Sequence, residues 1–538
     1  MLGFGAFISY TLLLSSFWAA HEFIVSSPTY MGLFEGRTRE VKFLVSRAQL
    51  NSQPESSLLR SQINALNSSS TLLGRIYQRR KNDTNYKKIL NSFDNSLQKG
   101  SSMYLRMRVF PFYIVAITAP EQVSPVVALA IQHKLCMGVR SSGLHYAVSS
   151  ICPNGILLDL SALKRIEIYP DLKEAYVQVG VKQLEFMKEY RKYGFHFPGS
   201  YDGEVALGGF LLGGGLGWGS RHFGAGSDNI ISIDMVSVKN GSTMTITSAE
   251  SDLMFGLKGA GSMLGVVTGF RLKLHDSVPS ILERKVLLFP ERNIKDGLNT
   301  FVDFHMTSHT AIDSSAFLTI GPHRNPILVW SSVSFANRST TLFLNSSWSR
   351  LEELTPAPLP IESTQGDYEN VLRTLVKTAV YNSSATYTHG MFIHVPFPRE
   401  VISILAKQIA KHMSTSHGIL IYPGPPLRAN QTSSAFGFRG TLFVGLYAIW
   451  RRSDFGSEYD NDKFHVEWVR ETARQLDKYS VGWYVNNIMG DADMEVDPPA
   501  GHGPWTKAFA RETRQRLEML KLEWDPSNLL RGIEYLWS

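Results

Sequence analysis

Residues Leu207–Asn229, reading LGGFLLGGGLGWGSRHFGAGSDN, constrain the chain more than any other stretch, because nine of these 23 residues are glycine. Glycine alone reaches positive φ cheaply and lets another group lie directly on the backbone, so such a density costs stability unless something large and flat comes against it. A cofactor is the expected occupant, with a glycine-rich strand and turn of a large β-protein as the alternative. A dinucleotide loop is excluded by spacing. In G-x-G-x-x-G terms, Gly213 and Gly215 are followed at the sixth place by Trp218, and Gly217 and Gly219 by His222. No G-x-x-x-x-G-K-[ST] occurs either.

With 538 residues, 43% hydrophobic and 19% charged, the chain can build several ordinary globular domains. The net charge of +7 is spread out, and its densest run is Arg79-Arg80-Lys81. A diffuse excess of this kind reads as solvated surface and not as a nucleic-acid interface. Two cysteines, Cys136 and Cys152, cannot make a disulfide framework. One bridge between them stays open, but a buried thiol at the end of the Ile131–Met137 segment is the expectation for Cys136. Residues Met1–Ala20 carry no charged side chain, and Leu2–Trp18 are mostly apolar. That is expected of a signal peptide or an uncleaved anchor, with a buried core helix as the bland alternative. Seven N-x-[ST] sequons, at Asn67, Asn82, Asn240, Asn337, Asn345, Asn382 and Asn430, agree with the secretory pathway.

Residues 21–110 read as a polar extension with two short amphipathic stretches, Ser57–Leu66 and Tyr86–Leu97. Order tightens at Phe112. A β-branched strand over Tyr113–Thr118, a helix over Ser124–Leu135 and a strand over Met137–Arg140 lead into the small-residue turn Arg140-Ser141-Ser142-Gly143-Leu144-His145-Tyr146, and Ile156–Ser161 is a further strand. From Val278 to about Ser480, strand patterns such as Lys285–Phe289, Ala316–Ile320, Ile327–Phe335, Met391–Val395 and Thr441–Trp450 alternate with the helical patterns Val401–His412 and Asp462–Tyr479. An antiparallel sheet with helices on one face is predicted there. Period-two alternation lets His394, Tyr447 and Arg439 face either the site or solvent. His389 and His394 lack acidic or cysteine partners at metal spacing, so no metal is expected.

The turn at Arg140–His145, the glycine run, Leu253–Gly261 with Leu264–Phe270, Ala435–Gly440, Gly482–Asn487 and Trp524–Leu529 together resemble the FAD-linked oxidases of the berberine bridge enzyme and vanillyl-alcohol-oxidase type. The resemblance implies an α+β chain: a two-part, PCMH-type FAD-binding domain over 111–278 and an antiparallel-sheet substrate domain over 279–480. A segment from 481 to 538 would return to the FAD domain. It further implies that Arg140, Ser141, Ser142, Gly143, Leu144 and His145 wrap the FAD pyrophosphate through backbone N–H groups. Val205, Gly208 and Gly209 would lie on the ribityl and pyrophosphate, Gly214, Gly215 and Trp218 on the same wall, and Val267 by the adenine. Asp228 and Asn229 would fix a turn.

The chain departs from that pattern at three places. Leu144 stands where relatives carry the histidine bonded to the flavin, so a covalent tie would run through His145 and otherwise the FAD is non-covalent. Asp202 stands at the second, cysteinyl tether and excludes it. Asn487 replaces a tyrosine that serves as base in some relatives, and an amide is no base; Tyr484 is the remaining catalytic candidate. The implied activity is oxidation of a small organic molecule, in secondary metabolism, by hydride transfer to flavin N5 with molecular oxygen as the second substrate. A secreted carbohydrate or alcohol oxidase, and an FAD-retaining cyclase without net oxidation, are the alternatives.

Overall fold

The computed structural model describes residues 57–68, 75–78, 84–91, 111–145, 150–152, 154–247, 251–276, 281–321, 323–336, 341–354, 358–367, 385–412, 414–427, 434–450, 458–488 and 505–530. The apolar segment Met1–Trp18, turn residue Tyr146 and the sequons at Asn82, Asn337, Asn382 and Asn430 lie outside them. The chain divides into two units, at Gly74 and Arg75. In the first, the described element is the helix Ser57–Ser68.

The second unit is built on three sheets, an α+β arrangement. In the first, β1 (Ile76–Gln78), β2 (Tyr113–Ala116), β4 (Ile156–Asp159) and β3 (Met137–Arg140) lie in that order. β1 is antiparallel to β2, while β2 and β3 both run parallel to β4. The helix Val123–His133 provides the crossover that a parallel pair needs. It stops where Lys134 turns left-handed, at φ 51°. β2 and β4 are buried along most of their length, which is why both read as short apolar runs.

The second sheet, antiparallel throughout, has the order β5 (Ile166–Tyr169), β6 (Glu174–Gln178), β9 (Val266–Lys273), β7 (Ile230–Val236), β8 (Thr243–Ile246). The third has eight strands, all antiparallel, in the order β13 (Leu359–Asp367), β10 (Ile281–Pro290), β12 (Pro326–Ser334), β11 (Ile312–Ile320), β15 (His417–Pro423), β16 (Thr441–Trp450), β14 (Ala385–His394), β17 (Ser480–Ile488). One face of this sheet carries Tyr387, Met391, Ile393, Leu442, Val444 and Leu446, buried in a core shared with the helices Ile294–Thr307, Arg399–His412 and Glu458–Leu476. Alternation then places Thr388, Gly390, Phe392, Phe443, Gly445 and Tyr447 on the opposite face. There Phe392 and Phe443 pack with Leu216 of the glycine run.

Three details differ from expectation. Cys136 and Cys152 are joined in a disulfide, their Cα atoms 6.0 Å apart, so Cys136 is not a buried thiol. Parallel pairing of β3 with β4 is what brings the two together, a neighbourhood that spacing alone does not reveal. β17 extends the eight-stranded sheet through Ile488, past residue 480 where the sheet region was expected to stop. β1 adds a strand to the first sheet from within the polar extension.

Candidate active site

The turn that follows β3 is held from both sides. Buried Arg140 donates from Nη1 to Asp159 Oδ2 at 3.0 Å, fixing the ends of the paired strands. Burial lowers the Arg140 pKa, against the opposing pull of Asp159. Gly143 takes φ +78°, which turns the chain. The Ser142 hydroxyl accepts from Ala206 N at 3.1 Å, so the turn sits at the start of the helix Leu207–Leu212. Ser141 Oγ occupies the space beside Gly208, 2.3 Å from where a Cβ would stand, so a larger residue there would have to displace the Ser141 hydroxyl. At Gly209 the situation reverses: nothing lies within 4 Å of a built Cβ, and the residue is exposed. Leu144 is half-buried. Val205 N donates to Asp202 O and its own carbonyl accepts from Gln183 N at 2.9 Å. Val267 is buried in β9 opposite Met235, in the second sheet.

The glycine run corrects one expectation. Gly214 and Gly215 do have positive φ, 106° and 76°, but their side-chain-free faces are covered by the rings of Phe436 and Phe210, not left open for a cofactor. Gly213 faces the Asn486 amide, and Gly217 lies on Gly199, whose carbonyl oxygen would sit 1.7 Å from a Cβ. Much of the glycine density therefore serves close approach of the protein to itself.

What joins the run to the eight-stranded sheet is a bulge in β17. Between the pairs Met391↔Trp483 and His389↔Ile488, β14 advances two residues while β17 advances five, and the surplus throws Tyr484–Asn487 out of register. Each displaced residue reaches a different partner. The Tyr484 hydroxyl accepts from Leu216 N and from Asn486 Nδ2, both at 3.2 Å. Val485 O meets His145 Nε2 at 3.0 Å. Asn486 Nδ2 also donates to Phe210 O at 3.1 Å, and Asn487 Nδ2 donates to the Tyr447 hydroxyl at 2.7 Å. Burial lowers the pKa of His145 despite the Val485 bond that opposes it, and raises those of Tyr484, Tyr447 and Tyr201. At neutral pH the site thus presents a neutral imidazole and protonated phenols.

Asp228 and Asn229 act on backbone. Asp228 Oδ2 accepts from Ala225 N at 2.9 Å and from Arg439 Nη1 at 2.6 Å, and Asn229 Nδ2 donates to Ala225 O at 2.9 Å. Arg439 is consumed by that pair, and His394 is exposed. Arg221 ties the run to the end of the helix Ile294–Thr307, donating to Ser308 Oγ, to Ile312 O at 2.7 Å and to the carbonyls of His305, Ser308 and His309. Among the described residues no group of His, Cys, Asp and Glu is arranged to hold a metal ion.

Residues 111–247 match the FAD binding domain family. An FAD-linked oxidoreductase of Dictyostelium discoideum is 25% identical over 396 residues, which is 73% of this chain and 81% of that protein. The FAD-linked oxidoreductase janO of Penicillium janthinellum is 23% identical over 78% of this chain and 90% of its own. Berberine bridge enzyme from Eschscholzia californica superimposes with a TM-score of 0.74 over 87% of this chain and 97% of that one, at 17% identity. The chain is an FAD-linked oxidoreductase with the fold of berberine bridge enzyme. A variant of berberine bridge enzyme in complex with (S)-reticuline superimposes with a TM-score of 0.74 at 16% identity.

The residues of this oxidoreductase fit FAD. The uncovered face of Gly209 gives a flat group room to lie on the backbone, beside a turn of small residues at the ends of parallel strands. Several polar atoms next to the run, Tyr201 OH, Trp218 Nε1 and Asn487 Oδ1, are buried without a hydrogen-bond partner. That is costly unless a ligand meets them. Sequence reasoning missed Tyr201 and gave Asn487 no role beyond a lost base. Tyr201 packs edge-on against Trp218 with ring centres 4.6 Å apart, a contact no spacing rule exposes.

Proposed function

We propose that this enzyme oxidises a small organic molecule held between the glycine run and the face of the eight-stranded sheet that carries Phe392 and Phe443. Bound FAD would supply a two-electron acceptor for hydride at N5, with molecular oxygen as the terminal acceptor. The turn Arg140–His145, with Val205, Gly208, Gly209 and Val267, would hold the cofactor; Gly214 and Gly215 would stiffen the wall behind it. The observation that carries this reading is the β17 bulge, which connects the phosphate-side turn through His145, the glycine run through Tyr484 and the sheet face through Asn487. Tyr484 accepts from Leu216 N and Asn486 Nδ2, an orienting role and not that of a base. The proton released on oxidation would leave to solvent. Leu144 offers no nucleophile, so a covalent tie would run through His145; acid precipitation decides it, since a yellow pellet means a bond and a yellow supernatant means none.

The decisive experiment is anaerobic mixing of the yellow protein with phenolic, alkaloid, sugar and alcohol substrates, followed by peroxide measurement on admitting air. Bleaching of the flavin band with peroxide release supports the oxidase. The altered positions Leu144 and Asn487 favour one other reading, an FAD-retaining cyclase, in which product forms without bleaching. We further place the enzyme in the secretory pathway, where a role in secondary metabolism would be served outside the cytosol. The Cys136–Cys152 disulfide and the exposed sequons Asn240 and Asn345 support this. A mobility shift on glycosidase treatment of the native protein tests it.

A further inference from the structure

The helix Leu342–Ser349 has an inner face that explains itself and an outer face that does not. Thr341 caps its start, the hydroxyl accepting from Leu344 N at 3.0 Å, and Leu344, Ser347 and Trp348 turn inward at helical spacing. Leu344 and Trp348 join the core that the eight-stranded sheet shares with its helices. The outer face should then be polar. Instead Leu342 is 90% exposed and its neighbour Phe343 54%, two large apolar side chains standing together in water.

Asn345 lies one turn after Leu342, exposed on the same side, and opens the sequon Asn345-Ser346-Ser347. Ser347, whose hydroxyl completes the sequon, is 1% exposed and accepts from His309 N at 3.1 Å. Folding thus withdraws the hydroxyl and leaves the amide outside, so sugar is added to the nascent chain and not to the finished one. The sequon at Asn240 is a natural contrast. It sits in the turn between β7 and β8, where Asn240 Oδ1 accepts from Ser242 N at 3.1 Å and from Ser242 Oγ at 2.8 Å, and the exposed residues around it, Lys239, Ser242 and Thr243, are polar.

We propose that Asn345 carries an N-linked oligosaccharide whose first sugars lie over Leu342 and Phe343. The donor is a lipid-linked pyrophosphoryl oligosaccharide. The Asn345 amide nitrogen bonds to C1 of the first sugar, the C1–O bond to pyrophosphate breaks, and the amide gives one proton to the medium. The C–H faces of N-acetylglucosamine are apolar, so they take the pair out of water while the sugar hydroxyls meet the solvent in its place. The inference rests on the placement of the chain in the secretory pathway, and adds which sequon matters and what its sugar does.

The test uses the full-length protein expressed in a eukaryotic host and treated, while folded, with peptide N-glycosidase in heavy-oxygen water. Peptide mass spectra should find labelled aspartate at position 345, and sedimentation of the stripped protein should show self-association at least about tenfold stronger than before treatment. Asn345→Gln should associate likewise, whereas Asn240→Gln should not. Adding Leu342→Thr and Phe343→Ser to Asn345→Gln should restore wild-type sedimentation, with flavin content and melting temperature as controls for folding. Secreted protein without label at position 345 overturns the inference and leaves the secretory placement standing. An occupied Asn345 whose stripping leaves sedimentation unchanged overturns the covering role. Protein that stays in the cytosol, unlabelled at every sequon, overturns the secretory placement and this inference with it.

Discussion

Replacing Cys136 and Cys152 together by serine opens the covalent ring that encloses β3 and the turn Arg140–His145. The sequence separation is 16, and the chain-entropy relation for such a loop gives about 3 kcal/mol at room temperature. The loss should concentrate in the turn, because its limbs already pack closely: a Cβ on Gly138 would stand 2.1 Å from Ser150 O, and one on Gly155 2.1 Å from Cys136 O. If FAD binding must then order the turn, its affinity falls by up to about a hundredfold, the same free energy expressed as a binding ratio. Thiol titration of the unreduced, denatured wild type should find no reactive cysteine, and fluorescence titration of the apo forms with FAD should show the weakening. Two titratable thiols in the wild type would refute the bridge. A double variant with unaltered melting temperature and FAD affinity would refute the idea that it shapes the site.

Gly209→Ala should leave the fold intact, since open space lies beside it, yet weaken FAD uptake, whereas Gly217→Ala should abolish soluble protein because Gly199 O blocks the new methyl; comparing expression with flavin content separates the two. Arg439→Met removes the cation paired with Asp228, leaving the carboxylate only its Ala225 N–H bond, and should cost ~3 kcal/mol in denaturant unfolding, with part recovered in Arg439→Met combined with Asp228→Asn. Acid should destabilise the enzyme. Burial holds His389 down to about 4 and His305 down to about 3, so the stability their neutral rings contribute is complete above the ordinary value near 6.5 and is lost as pH falls toward the folded values. For His389 that is ~1.4 kcal/mol at pH 5.5. Asp313, raised by burial to about 6, works the other way, its contribution declining as pH rises from about 4 to 6. Melting curves at pH 5.5 and 7.5 should therefore show a smaller difference in His389→Leu than in wild type, and an equal difference would contradict the assignment.

The elements around the cofactor turn were legible because their patterns are local: the β-branched run at Tyr113 became β2, and the apolar helix after Pro120 became Val123–His133. The antiparallel sheet with helices on one face was legible for the same reason. β13 was not, since LPIESTQGD is a polar edge strand whose pattern reads as a loop. β15 was hidden by its brevity, seven residues following a helix. The site suffered most where it depends on register. No property of Tyr484–Asn487 in sequence tells that β17 slips by three residues against β14, yet that slip decides which partner each side chain meets. The glycine run was legible as a place of close approach, while the identity of what approaches, Phe436 and Phe210 at Gly214 and Gly215, belongs to tertiary structure.

Met137 at the start of β3 donates its N–H to Leu529 O at 2.7 Å and bridges Leu530, and Asp525 holds both of these residues, Oδ1 accepting from Leu529 N and Oδ2 from Leu530 N. The earliest-made layer of the cofactor domain is therefore finished by residues made only after the eight-stranded sheet. Synthesis proceeds N-terminus first, so β3 waits with an unsealed edge while the whole eight-stranded sheet is being made. A nascent chain of this design invites chaperone protection during translation, and cleavage just before Leu529 would strike the flavin domain while leaving the eight-stranded sheet whole.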